Sequence, residues 1–150
     1  MLKNILGVVA GYVAIVFVIT CSFLIYFVLL GPDRAFVPGK FEPSTIWISG
    51  TFVFGVVGAI VGGALCFWIA RTDGAIYALA GLLFVFGILT IIFSDATVAT
   101  DAVRSGTEAP MEAFSKSVSP AWVQYVNPFL GAISVVIGGF LMKGKSGKAE

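Results

Sequence analysis

The order of apolar and polar residues along the chain divides it into four long apolar runs separated by polar breaks. The runs cover approximately residues 5–30, 46–70, 74–93 and 121–142. Each has about the 20 residues that a helix needs to cross roughly 30 Å of hydrocarbon. The breaks contain residues that end helices or favour water, such as Gly31-Pro32 and Arg71. The pattern therefore predicts four transmembrane helices.

Helices are favoured over strands because a segment in lipid must satisfy its own backbone, and a barrel would show short alternating strands instead. The short break at residues 71–73 makes the second and third helices antiparallel. We expect an all-α integral membrane protein, an antiparallel bundle of four transmembrane helices in one domain of residues 1–150. Residues 143–150 would form a short cationic cytoplasmic tail.

The first run could be read as a cleaved signal peptide, because Lys3 precedes it and Cys21 follows a loose lipoprotein-like motif. The apolar core of a signal peptide has roughly 7–15 residues, and this run is longer. We therefore expect the first run to be retained as a transmembrane helix.

The composition agrees with a chain surrounded by lipid. Hydrophobic residues make up 59% of the chain and charged residues 11%, whereas soluble proteins carry about 25% charged residues. This excludes a soluble enzyme and a disordered chain. Nine Lys and Arg against eight Asp and Glu leave no basic face, so no nucleic-acid partner is expected. Membrane lipids are the expected surroundings.

The distribution of charge predicts the orientation. With the amino terminus inside, the inner segments carry five basic and two acidic residues, a net of +3. The outer segments then carry four basic and six acidic residues, a net of −2. The inner segments are very short, and Lys143, Lys145 and Lys148 crowd one helix end, so basic residues are denser on this side. Because Lys and Arg concentrate on the cytoplasmic side, we expect both termini in the cytoplasm of a cell with a bacterial-type cytoplasmic (inner) membrane.

Small residues recur at helical spacing on all four predicted helices, a pattern that lets helix backbones approach closely in lipid. The positions are Gly7, Gly11 and Ala14, then Gly55, Gly58, Ala59, Gly62 and Gly63, then Gly74, Ala78 and Gly81, and finally Ser134 and Gly138. They favour packing within the bundle. The alternative is an interface with a second copy or another membrane protein, and two stripes on the second helix allow both.

Polar side chains fall in one layer of the predicted outer half, at similar heights by the helical rise. They are Thr20, Ser22, Ser49, Thr51, Thr90, Gln124 and Asn127. One interpretation is a layer of hydrogen bonds between helices that fixes their register. The other is a polar vestibule for a small solute or a lipid headgroup. Within this layer, Asn127-Pro128 predicts that the fourth helix kinks or restarts, with Asn127 as the new cap.

The outer connection of residues 94–120 is longer than most loops in compact proteins, which suggests that it has a function. The residues that we predict for a docking surface are Arg104, Glu108, Glu112, Phe114 and Trp122. Apolar residues at helical spacing predict a short amphipathic helix over residues 110–117. A solvated loop without a partner is the alternative.

The four predicted spans contain no Asp, Glu, Lys, Arg or His, so they offer no candidate catalytic or metal-binding site. We expect no cofactor. The helical rise places Cys21 and Cys66 about 18 Å apart in depth, which excludes a disulfide between them. Small multidrug transporters need a carboxylate in the first helix, and this chain has none there.

The glycine spacing of residues 50–58 is similar to that of the second helix of small four-helix fluoride channels. The asparagine of that motif is replaced by Gly55, so no family is assigned. The leading hypothesis is a non-catalytic accessory, scaffolding or self-assembling subunit of a larger membrane complex. The alternative is a small channel or a carrier that binds a solute or lipid through the polar layer.

Overall fold

The computed structural model describes residues 1–37, 42–93 and 120–146, and all regular secondary structure in these ranges is helical. The helices are α1 (Leu2–Leu30), α2 (Pro32–Ala35), α3 (Thr45–Ala70), α4 (Asp73–Phe93) and α5 (Ala121–Ser146). Within the described ranges, α1, α3, α4 and α5 are long and apolar enough to span a membrane. The prediction of an all-helical chain with four such helices is confirmed.

The bounds of the long helices lie close to those predicted from the apolar runs. The largest difference is at α5, which continues to Ser146, so Lys143 and Lys145 lie in its last turn rather than in a tail. Residues 147–150 lie outside the described residues, as do the helix predicted over residues 110–117 and the docking residues Arg104, Glu108, Glu112 and Phe114.

Side-chain and backbone caps define the ends of α3. The Ser44 hydroxyl oxygen accepts a hydrogen bond from the backbone N–H of Trp47 at 3.2 Å, as expected of an N-cap residue. At the other end Arg71 adopts the left-handed conformation, with φ of 55°, and its N–H donates to the Phe67 carbonyl. This left-handed turn leads into α4 after a connection of two residues.

Contacts between the helices define two ends of the bundle. At one end, which we call the short-loop end, Asp73 pairs with Lys143 at 2.6 Å and the Thr72 hydroxyl donates to the Asn4 side chain at 3.1 Å. This end contains the start of α1, the α3–α4 connection and the end of α5. The Arg71 guanidinium also donates to the Ser146 hydroxyl there.

At the other end, which we call the long-loop end, aromatic rings join the helices. Tyr26 near the end of α1 stacks on Trp47 at the start of α3, with ring centroids 5.4 Å apart. The Tyr26 hydroxyl donates to the Ile46 carbonyl at 2.8 Å. Phe52 of α3 stacks on Trp122 at the start of α5.

The half of the bundle next to the short-loop end is closely packed through glycines. A Cβ atom on Gly7 would lie 2.8 Å from the Ala70 side chain, and one on Gly11 would lie 2.8 Å from the Gly62 carbonyl oxygen. Gly63 packs in the same way against the backbone of Val135. Buried side chains such as Ile76, Leu79 and Val135 complete this core.

Candidate functional site

A cavity of about 440 Å³ lies between the four long helices in the half next to the long-loop end. Its size falls within the range of about 300–1,000 Å³ that is usual for small-molecule sites. Each of the four helices contributes to the wall. The lining residues are Ile15, Ile19 and Phe23 of α1, Thr51, Phe52, Gly55, Val56 and Ala59 of α3, Leu83, Gly87, Thr90 and Ile91 of α4, and Val123, Gln124, Asn127, Pro128, Leu130 and Gly131 of α5.

Two glycines leave open space at the cavity wall. No described atom lies within 4 Å of the position that a Cβ atom would take on Gly55 or Gly131, whereas most glycines of the other half meet a neighbouring helix. Both residues line the cavity. A side chain at either position would therefore project toward the cavity, and a large one would occupy part of it.

Four members of the predicted polar layer come together at the cavity. Thr51, Thr90, Gln124 and Asn127 all line it, and they belong to three different helices. The other members, Thr20, Ser22 and Ser49, do not line the cavity. The structure thus gathers part of the layer into one site and leaves the rest elsewhere on the bundle.

The threonine hydroxyls of the cavity are bonded within their own helices. Thr51 donates to the Ile48 carbonyl and Thr90 to the Phe86 carbonyl, each at 2.8 Å. These two hydroxyls therefore do not form the bonds between helices that one interpretation of the layer required. Because a hydroxyl oxygen keeps acceptor capacity after it donates, both residues still present an acceptor.

Asn127 is the polar group of the site with most unused hydrogen-bonding capacity. Its side chain is exposed and makes no hydrogen bond to any residue in the described parts of the chain. An amide offers two donors and one acceptor oxygen.

The helix α5 runs without interruption from Ala121 through Pro128 to Ser146. The prediction that a restarted helix begins at Asn127 is therefore wrong.

Proline at position 128 serves as a packing surface for α4. A Cβ atom on Gly87 would lie 2.6 Å from the Pro128 ring, so only a glycine fits at that position without a shift. Next to this contact, Phe84 on α4 and Phe129, the residue after Pro128, form an edge-to-face pair with centroids 5.1 Å apart. These contacts fix α4 and α5 as one wall of the cavity.

The cavity has a polar end and an apolar end. Thr51 lies six residues from the start of α3 and Ala59 lies fourteen, or about 9 Å and 21 Å along the helix. Thr90 lies three residues from the end of α4 and Leu83 lies ten, or about 4.5 Å and 15 Å. The polar side chains therefore surround the part near the long-loop end, and Ile15, Ala59 and Leu83 form an apolar floor.

No charged side chain lines the cavity among the described residues. In the same ranges, no three His, Cys, Asp or Glu side chains come together in a way that would hold a metal ion. Cys21 and Cys66 are both free thiols, and neither lines the cavity. The described part of the wall therefore offers apolar contact and neutral hydrogen bonding.

Apart from Gly55, which lines the cavity, the glycines predicted as packing positions divide into those that meet a neighbouring helix and those that do not. Gly7, Gly11, Gly58, Gly62, Gly63 and Gly138 meet atoms of neighbouring helices in the same chain, and Ala59 and Ser134 are buried. Gly74 and Gly81 have no described atom within 4 Å of where a Cβ atom would lie and are exposed, as is Ala78 on the same helix. Trp122, predicted as part of a docking surface, is half exposed and stacks on Phe52.

Sequence reasoning missed Gly131 and Leu83 as parts of the site. Gly131 follows Asn127 by four residues, which places both on the same face of α5. That spacing was a usable signal for Gly131. Leu83 had no distinguishing signal, because it is one of many leucines on a helix that is apolar on all sides.

Comparisons of the chain with protein families, with curated proteins and with solved structures found no match.

Proposed function

We propose that the protein is a multi-pass protein of a bacterial-type inner membrane whose four long helices cross the bilayer up and down. The outward faces support this placement, because large apolar side chains such as Phe17 (67% exposed), Val28 (79%) and Phe93 (78%) lie on the surface. Soluble proteins rarely expose apolar patches of that extent. The helix contacts at the two ends support the antiparallel bundle.

The proposed orientation places the short-loop end, and with it both termini, in the cytoplasm. Lys3, Arg71, Lys143 and Lys145 are exposed at that end. This distribution follows the preference of basic residues for the cytoplasmic side. The cavity then lies in the outer half of the membrane.

We infer that the protein is a non-catalytic carrier or receptor that binds a small membrane-soluble molecule in this cavity. The single observation that carries the proposal is the meeting of Thr51, Thr90, Gln124 and Asn127 at one cavity whose remaining wall is apolar. A mostly apolar wall with a few convergent polar groups is the usual composition of a small-molecule site.

The packing of the glycines favours this proposal over that of a purely structural subunit. The small-residue stripes were one of three reasons to expect a partner, beside the absence of ionisable residues from the spans and the long outer connection. In the structure, Gly7, Gly11, Gly58 and Gly62 meet helices of the same chain. Those stripes are therefore explained by the fold, whereas the cavity is not.

The proposal is tested by placing large side chains in the cavity and identifying the small molecules that stay bound to the purified protein. Gly55→Leu and Gly131→Leu each place a large side chain where no neighbouring atom lies within 4 Å. Gly144→Leu is the matched control, because Gly144 also has no neighbour near its Cβ position but lies at the other end of α5. Each protein is extracted with its native lipids, and the retained small molecules are identified by mass spectrometry.

We expect a molecule enriched over bulk lipid in the wild type and in Gly144→Leu, and lost from both cavity variants. Equal composition of all four samples would contradict the proposal. Circular dichroism and size-exclusion profiles of the variants show whether each one folds, and the two independent cavity variants guard against the failure of one.

A second function, that of a subunit which packs on another membrane helix, is favoured by one observation on α4. Gly74, Ala78 and Gly81 lie on an exposed face of this helix, at the spacing that allows close helix contact in lipid. This is the part of the predicted interface that the chain does not itself cover. We propose it as the surface for self-association or for an accessory role.

The α4 surface is tested with Gly81→Leu, measured by crosslinking in membranes and by sedimentation in detergent. A wild type that forms dimers or larger complexes, together with a Gly81→Leu variant that does not, would support the second function. A wild type that remains monomeric and captures no partner would contradict it.

A further inference from the structure

We propose that the ligand of the cavity is an uncharged amphiphile, with an apolar chain or ring system and one neutral hydrogen-bonding end such as a hydroxyl or carbonyl. This inference rests on the proposed function and names its ligand class. The observation behind it is the ordering of the wall, which is apolar at the floor and polar near the long-loop end.

The floor determines the apolar part of the ligand. Ile15, Ala59 and Leu83 line the deep part of the cavity, and Gly131 adds no side chain there. An entirely polar ligand would lose its hydration against these residues without gaining hydrogen bonds. The floor therefore selects an apolar chain, and because lipid tails are as apolar as the floor, the hydrogen bonds at the polar end supply the preference for the cavity over bulk lipid.

The absence of charge from the described wall determines that the ligand is neutral. A buried charge is costly unless a partner of opposite charge or several hydrogen bonds compensate it. No described lining residue is acidic or basic. A carboxylate, phosphate or ammonium group would therefore bind poorly inside this cavity.

The polar residues determine the kind of hydrogen bond that the ligand makes. The hydroxyls of Thr51 and Thr90 already donate to their own helices, so each presents its oxygen as an acceptor. Asn127 offers both donors and an acceptor. A hydroxyl group matches this set fully, because it can donate to a threonine oxygen and accept from the asparagine amide.

The orientation of the ligand follows from the two ends of the cavity. The polar end lies near the ends of the helices and the apolar floor lies toward the middle of the bundle. A bound amphiphile would therefore point its polar group the same way as a lipid in the outer leaflet. A molecule that enters from the outer leaflet would therefore keep its orientation.

The test uses the intact protein in phosphatidylcholine nanodiscs and a dodecanol photoprobe that carries a diazirine at the end of its chain. Four unlabelled competitors share one chain and differ in the end group: dodecanol, dodecanesulfonate, dodecyltrimethylammonium and dodecane. The readout is the concentration of each competitor that halves saturable photolabelling. Gly55→Leu and Gly131→Leu serve as filled cavities.

We expect dodecanol to compete at least about tenfold better than either charged competitor and than dodecane. The volume-conserving variants Thr90→Val and Asn127→Leu should bring dodecanol to the level of dodecane. Saturable labelling should be lost in both filled variants. Together these results would support the neutral amphiphile.

The contrary outcomes separate the ligand class from the function. If a charged competitor matches dodecanol while the filled variants still lose labelling, the class is wrong and the proposed binding function stands. If dodecane matches dodecanol in the wild type, the polar end plays no part and the class is again overturned. Labelling that is unsaturable and equal in wild type and filled variants would overturn both proposals.

Discussion

Gly138 of α5 lies directly against the backbone of Ile60 of α3, so that a Cβ atom on residue 138 would overlap the Ile60 carbonyl oxygen. The relation is repeated nearby, where Gly63 meets the carbonyl of Val135. Each of the two helices thus packs a glycine against the backbone of the other. This double contact holds α3 and α5 together at the closely packed half, below the floor of the cavity.

The first prediction concerns this contact. Gly138→Ala should lower the free energy of unfolding by about 1–3 kcal/mol, because the added methyl group forces two backbones apart. The measurement is unfolding in mixed micelles by titration with a denaturing detergent. Gly144→Ala on the same helix is the control. It has open surroundings and should change stability by at most about 1 kcal/mol, in the stabilising direction. Similar losses in both variants would contradict the packing described.

The second prediction separates the structural from the ligand-binding role of the threonines. Thr51→Val and Thr90→Val should each change the free energy of unfolding by less than about 1 kcal/mol, because the lost hydroxyl bonds only to its own helix. Retention of the cavity's ligand should nevertheless decrease. Unfolding titrations and mass spectrometry of the same samples check the two parts. A large loss of stability with unchanged retention would assign these residues to the fold.

The third prediction concerns the ion pair of Asp73 and Lys143 at the short-loop end. Their charged atoms lie 2.6 Å apart, but the side chains are 42% and 47% exposed, so water and salt weaken the attraction. A double-mutant cycle with Asp73→Asn and Lys143→Met should give a coupling energy below about 1 kcal/mol that falls in high salt. A coupling energy of several kcal/mol that does not change with salt would contradict this prediction. It would show that another molecule shields the pair from water.

The fourth prediction tests the proposed path through the membrane. Thr45→Cys and Gly144→Cys place single thiols at the long-loop and short-loop ends, in a chain whose two native cysteines are replaced by alanine. A membrane-impermeant maleimide added outside should label position 45 in intact cells and position 144 only after permeabilisation. Three proposed crossings separate the two positions, so labelling of both from the same side would contradict the proposed path.

The sequence was sufficient to predict the helices, because the length of an apolar run and the residues that break it directly reflect the thickness of a bilayer. It also predicted the height of the polar residues, since the rise per residue is fixed. Thr51 and Thr90 were placed at one level from numbering alone, and the structure brings both to one cavity.

The sequence could not predict which way each side chain points around its helix. These helices are apolar on nearly all sides, so their patterns do not distinguish a lipid-facing side from a core-facing side. Thr20 therefore looked equivalent to Thr51, although it does not line the cavity. For the same reason Gly55 and Gly58 were both predicted as packing positions, on two different stripes of the helix, whereas Gly55 lines the cavity and Gly58 meets Ile19.

The orientation of a bound amphiphile is the most direct test of the account. The measurement is a crystallographic anomalous map of the protein with a dodecanol that carries bromine at the end of its chain. We predict a bromine peak at the apolar floor, near Ala59, Leu83 and Gly131, in the wild type and no peak there in Gly55→Leu. A bromine peak beside Thr90 and Asn127, or the same map for both proteins, would contradict it.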